Sequence, residues 1–477
     1  MTRKLLFLSL LLSLTACVRN PVTGKKQLSL VSTQDEIAIG KQGAEDVRQS
    51  IGLLDHPQAQ QYVAAVGMPM ARKSERAELP WSFQVVDDPA VNAFALPGGP
   101  IFATRGLLTH LNSEAELAAV LGHEIGHVTA RHSANMITQS QLAQLGLGVG
   151  MILKPDLAEY GQLAAAGVQL LLLKHGRDAE RQADELGFRY MVQAGYDPRE
   201  MENVFATLGR VAEEGGSGRL PGWLSTHPNP EDRMEKARER VAQLGANVEG
   251  RKVGQAEYLR LLQGMVYGQN PRHGFFRGNL FLHPDLRFQL EFPQGWKTAN
   301  QTQAVLGVSP EQDAIVGLAT VGGGLSPEQA LQKFFAQQGV RPLDVPLAAL
   351  PPATRYFEAQ TEQGVLRGLT TFVSWRGGTL QLVGYTAAER LSQHDPAFRA
   401  TFASFKELTD PAVLGVQPAR IELVTLDQAM TLEQFQTRHP STIPLAELAL
   451  INGAQPGDTL PAGRIVKRVT GGPPATP

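Results

Sequence analysis

Apolar residues return every three or four positions through Leu117, Val120, Leu121 and Ile125, a spacing that predicts a helix from residue 114 to about 131. Asn112-Ser113-Glu114-Ala115-Glu116 offers its start, with Ser113 accepting from the third helical amide while Glu116 reaches back. A second helical stretch begins at Arg177 and closes near Gly195. Others are predicted from about Gln34 behind Ser32 or Thr33, and from 57 to about 72. Two more open at Asp197-Pro198 and Asn229-Pro230, each a capping residue followed by proline at the first helical position. Period-two alternation marks a strand at 82–86, and the turn Pro97-Gly98-Gly99-Pro100 separates two short strand-like runs at 92–96 and 101–104.

Past Gly245 the pattern changes. A helix at about 255–267 leads to strand-like runs at 288–292, 314–320, 355–359, 365–375 and 379–385, the last two joined by a turn at Arg376-Gly377-Gly378. Ser326-Pro327 caps a helix ending near Gly339, and another follows Pro396. The chain therefore reads as multidomain. A mainly α-helical domain with a small edge β-sheet spans 31–250, and a helical linker spans 251–280. An α+β domain with an antiparallel sheet spans 281–410, a small strand-helix-strand tail 418–470, and a disordered end 471–477.

Composition narrows the class. With 43% hydrophobic and 19% charged residues and a net charge of −2, the 477-residue chain can bury sizeable cores, and no basic field draws nucleic acid. Arg3 and Lys4 precede an apolar run from 5 to 14, too short to span a bilayer, and Leu14-Thr15-Ala16-Cys17 follows. Residues 1–17 resemble a bacterial lipoprotein signal in which Cys17, the sole cysteine, accepts the lipid; 18–30 reads as a tether. With Val18 after the cysteine, resemblance to known sorting points to the outer membrane facing the periplasm. The Leu-, Ala- and Gly-rich stretch 139–174 reads as a buried helical hairpin or a lid, with a membrane-dipping surface as the sharper option.

The chemistry sits in Gly122-His123-Glu124-Ile125-Gly126-His127. Two histidines four apart share a helix face and can reach one metal ion, while Glu124 can address a water there. Such sites take a third protein ligand and leave a fourth position open. Some fifty residues on, Glu180 and Asp184 share a face of the second helix, which suits one ligand and one carboxylate that orients a ligand histidine through its other ring nitrogen. His132 and His175 read as structural, and His283 and His394 stand alone, outside any catalytic cluster.

These runs resemble the CaaX prenyl protease and HtpX-type zinc metallopeptidases, in particular their BepA-like periplasmic lipoprotein branch. The likeness rests on the HEIGH run, Glu180 to Asp184, the run from Asn92 to Gly99, and Ser225-Thr226-His227-Pro228 followed by Arg233. It implies that zinc is held by His123, His127 and Glu180, that Glu124 is the base, and that Asp184 and Arg233 support the ligands. His227 would cap the metal or move aside to steady the tetrahedral intermediate. The edge strand Asn92, Ala93, Phe94 and Ala95 would hold extended substrate through main-chain hydrogen bonds. The implied function is a membrane-tethered endopeptidase acting on misfolded or stalled envelope polypeptides, with the outer-membrane assembly machinery as a possible partner. The rivals are a chaperone or assembly factor for envelope proteins with a latched metal site, and a cell-wall binding protein. Leu450-Ile451-Asn452-Gly453, Gly457-Asp458-Thr459-Leu460 and Gly463-Arg464-Ile465-Val466 resemble the second half of a LysM module. Ala429-Met430-Thr431-Leu432 departs from its first half, so peptidoglycan binding is doubtful and a small docking module is the alternative.

Overall fold

The computed structural model describes residues 17–144, 175–214, 222–227, 230–322, 324–345, 353–361 and 364–472. The leader before Cys17, residues 145–174 of the apolar stretch, the glycine loop at 215–218 and the end from 473 lie outside them. Two units emerge: residues up to Gln269 together with Ala419–Gly471, and, inserted between these, Asn270–Pro418. No helix among the described residues is long and apolar enough to cross a membrane.

The first unit starts with a short antiparallel pair, Cys17–Arg19 with Lys26–Leu28, inside the stretch read as a tether. Asn20 closes its turn and donates to Ala130 O at 3.2 Å, tying the pair to the helical body. Helix α1 (Thr33–Ser50) is capped by Ser32 in a reciprocal box with Asp35, and α2 (Pro57–Ala71) begins on proline. Strands β1 (Ser82–Val86), β2 (Ala93–Ala95) and β3 (Pro100–Thr104) form a sheet ordered β1-β3-β2. β2 pairs antiparallel with β3 about the Pro-Gly-Gly-Pro turn, and as an outermost strand it packs against the helix Glu114–Thr129.

After α3 (Arg105–His110) comes α4 (Glu114–Thr129), every residue of it buried. Ser113 caps it as expected, but Glu116 reaches one residue further back, accepting from the Asn112 amide at 2.5 Å. Arg131, in the left-handed region at φ 61°, separates α4 from α5 (His132–Gln144). Then follow α6 (Arg177–Gln193), α7 (Glu200–Glu214), the single turn α8 (Trp223–Thr226), α9 (Pro230–Leu244) and α10 (Gln255–Leu262). The helix read as part of a linker, α10, buries Tyr258, Leu259 and Leu262 in the main core.

The tail folds as β4 (Arg420–Thr425), α11 (Leu432–Arg438), α12 (Leu445–Ile451) and β5 (Ile465–Thr470), with β4 and β5 antiparallel. Expected as a module of its own, it instead shares a core with the helical body. Leu432, Phe435, Leu450 and Val466 cluster with Leu107, Leu111 and Met265, because each half leaves an apolar face that only the other covers. At the centre of this junction the fully buried Lys467 donates to Thr109 O and Leu111 O at 2.9 and 2.8 Å.

The inserted unit is α+β and antiparallel. Its seven-stranded sheet runs in the order Val340–Leu343, Thr354–Thr361, Gly364–Trp375, Gly378–Ala387, Ala314–Val321, Ala304–Val308, Lys297–Asn300. A smaller sheet at 275–291 with Lys406–Glu407 and the helix Leu391–Ser404 complete a core centred on Phe281, Phe288, Leu369 and Phe398. That last helix starts five residues before Pro396, which it carries inside.

Candidate metal centre

Helices α4 and α6 approach so closely that side chains have no room between them. A Cβ on Gly187 would stand 2.7 Å from His123 N, and one on Gly126 would stand 2.9 Å from Ala183 O. Bare glycine on both helices therefore brings the carboxylates of α6 against the imidazoles of α4.

The resulting cluster is tight. His123 Nε2 lies 2.9 Å from His127 Nε2, and Glu180 reaches both at 3.5 and 3.4 Å. His227, which closes α8, places Nδ1 3.2 Å from His123 Nε2 and 3.0 Å from Glu180 Oε1. One donor atom from each of these four residues falls within 4.8 Å of all the others. Tetrahedral nitrogen ligands of zinc at about 2.0–2.1 Å stand roughly 3.3 Å apart, so these separations and this nitrogen-and-oxygen set fit one zinc ion. Protonation agrees. Burial pulls His123 down to about 4 and His127 well below the ordinary histidine range, leaving neutral rings with a lone pair to offer. Burial alone would raise Glu180, but His227 and His127 outweigh it and hold that carboxyl far below the usual range.

Behind the donors, Asp184 accepts from His123 Nδ1 at 2.9 Å, which leaves Nε2 of that ring facing the cluster. Arg233 grips Asp184 with two nitrogens at 2.7 and 2.6 Å and stacks over Trp223 and Phe205 at 4.2 and 4.5 Å from the ring centroids. Burial pushes the Asp184 carboxyl up, but the charge and hydrogen bonds of Arg233 together with His123 outweigh it and hold the carboxyl below its ordinary value.

Glu124 faces the same space. Its Oε1 is buried, 3.6 Å from His227 Nε2, and has no hydrogen-bond partner. Burial pushes its carboxyl up to about 7, held back by His227. An unpaired buried carboxylate oxygen beside a donor set marks a place built for a polar atom brought in from outside. The Trp223 amide donates to Val91 O at 3.0 Å, so the turn that carries His227 is stitched to the chain leading into β2.

The structure thus gathers His123, His127, Glu180 and His227, with Glu124 against them and Asp184 and Arg233 behind. Asn92 and Ala93 to Ala95 lie at the sheet edge beside α4. Cys17 opens the first strand of the short pair at the start of the first unit. Sequence reasoning missed the company His127 keeps: His132 Nδ1 lies 2.9 Å from His127 Nδ1, and the His175 ring stacks on His127 at 4.0 Å between centroids. Trp223, flat against His227 at 4.6 Å, was missed as well; only its position four residues before His227 hinted at a shared turn.

A helix bearing His-Glu-x-x-His, joined by a glutamate from a second helix in one donor set that could hold a metal ion, is the make-up of a metallopeptidase centre. Residues 57–241 match the model of Peptidase family M48, and the chain carries a domain of that family. It is 39% identical over 166 residues to the mitochondrial metalloendopeptidase OMA1 of Arabidopsis thaliana, covering 35% of this chain and 32% of that one. It is 30% identical over 233 residues to the beta-barrel assembly-enhancing protease of Escherichia coli (strain K12), covering 47% of each. With the OMA1 of Schizosaccharomyces pombe it shares 31% over 229 residues, 46% of this chain and 65% of that protein. The chain thus spans about half the length of the bacterial relatives it matches.

Proposed function

We propose that this chain is a zinc-dependent endopeptidase of the bacterial cell envelope, tethered through a lipid on Cys17, that cleaves misfolded or stalled envelope polypeptides. The observation that carries the reading is the convergence of His123, His127, Glu180 and His227 beside the unpaired Glu124 oxygen. Zinc, held by His123, His127 and Glu180, would supply the positive charge that polarises a peptide carbonyl and acidifies a water. The chain's own residues do the rest. Glu124 takes a proton from the attacking water and delivers it to the departing amine. The edge strand from Asn92 to Ala95 pairs with an extended substrate through main-chain hydrogen bonds, a mode indifferent to side-chain identity and suited to unfolded chains. Asp184 and Arg233 hold the ring of His123 in place. The envelope assignment rests on the leader and on the likeness to beta-barrel assembly-enhancing proteases.

A second reading is favoured by His227, whose ring stands among the donors. It describes a resting site latched by that histidine, in a protein that chiefly assists assembly. One assay separates the two. With zinc content matched, wild type should degrade unfolded casein while Glu124→Gln is slower by about 10²- to 10⁴-fold, the usual worth of a positioned general base. Equal cleavage by both, or none by either with zinc bound, rejects the peptidase.

A further inference from the structure

We infer that His132 and Gln182 form a hydrogen-bond relay that fixes the tautomer of His127 and thereby sets the affinity of the centre for zinc. The inference rests on the metal-centre reading above and extends it to two residues outside the donor set.

The argument is one of proton placement. Two neutral imidazoles whose Nδ1 atoms lie 2.9 Å apart cannot both present lone pairs, so one of the two carries the hydrogen. The other nitrogen of His132, Nε2, lies 3.0 Å from Gln182 Oε1, an amide oxygen that only accepts. His132 therefore donates from Nε2, its Nδ1 is left as an acceptor, and the hydrogen between the rings belongs to His127 Nδ1. That leaves a lone pair on His127 Nε2, the atom that faces His123 Nε2 and Glu180. Asp184 does the same for His123 with a carboxylate, so the two ligand rings are oriented by different chemistry.

The backbone is shaped for this contact. Were α4 to continue, residue 132 would stand about 140° round the helix from His127, off its face; the left-handed Arg131 breaks the helix between them. Arg131 is 2% exposed and anchored by Glu36 Oε1 at 2.7 Å and Val31 O at 2.6 Å. Gln182 reaches in from α6, two residues past Glu180, so the relay joins α5 to the helix that carries the glutamate donor.

Zinc affinity, read by competition with a chromogenic chelator on the full-length protein, tests this independently of turnover. His132→Leu and Gln182→Leu should weaken zinc binding about 10- to 100-fold, as losses behind a ligand do. His132→Asn places an oxygen acceptor where Nδ1 stood and should restore affinity, whereas His132→Gln, whose oxygen falls at the Nε2 position, should not. Gln182→Glu, which can only accept, should also keep it; if Gln182 instead donated, this change would be the damaging one and the proposed direction of the relay would be wrong. Thermal unfolding of the metal-free proteins separates loss of the relay from loss of the fold, and the Gln182 variants carry the test should His132→Leu not fold. Wild-type affinity in both leucine variants overturns the relay alone. No zinc binding by the wild type overturns the metal centre and the relay with it.

Discussion

His110 shows what the interior does to one ionisable side chain. Its ring lies against Tyr267, its Nδ1 is 2.7 Å from Gly106 O, and burial pulls it down to about 4. An unfolded chain would protonate it near 6.5. Between those values the unfolded state binds the extra proton, so the contribution is complete above about pH 6.5 and is lost as pH falls toward 4. At pH 5 the cost is on the order of 2 kcal/mol. Chemical denaturation at pH 7.5 and pH 5 should show that much less acid sensitivity in His110→Phe than in wild type; an identical loss in both would refute it. The sequence offered no hint of this residue, because nothing in its neighbours says that a tail some 350 positions later will cover it. His123, His127 and Glu180 were legible for the opposite reason: metal chemistry imposes a spacing that survives in one dimension. His132 reads as structural in the sequence because its contact with His127 crosses a left-handed turn, and an arginine at 131 does not announce one.

Among elements, the joint between α4 and α5 deserves a test of its own. Glu36 on α1 is 1% exposed and accepts from Arg76 at 2.8 Å and Arg131 at 2.7 Å, while Arg76 also donates to Val128 O near the end of α4. Two guanidinium groups thus share one buried carboxylate. Removing it strands both charges out of water, so Glu36→Ala should lose about 3–5 kcal/mol. Urea unfolding measures this, and a loss below 1 kcal/mol would mean that water reaches the arginines. The helices themselves were readable from caps and periodicity, and so was the turn between β2 and β3. What could not be read was which faces would meet, since α4 is apolar enough on every side to be covered all round.

At the scale of the molecule, the tail belongs to the unit that holds the metal centre. Lys467 and Glu116 face each other's fields within that junction, burial pulling the amine down and pushing the carboxyl up, each countered in part by the other. A chain ending at Pro418 would open the core around Leu107, Leu111 and Met265 to water. Such a truncation should lose the cooperative unfolding of the first unit and bind zinc poorly, as limited proteolysis and chelator competition would report. Retention of both would show that the helices suffice alone. Tail boundaries were legible from turn residues, but its attachment was not, because an apolar stripe on a strand looks the same whether it faces its own hairpin or a distant helix.

Because the inserted unit separates Gln269 from Ala419, the ribosome must produce about 150 further residues after the last helix of the body before the covering segment exists. Until then the core around Leu107, Leu111 and Met265 stays uncovered. The order of the chain itself thus sets when the first unit can close, with its last strand, Ile465–Thr470, arriving after everything it covers.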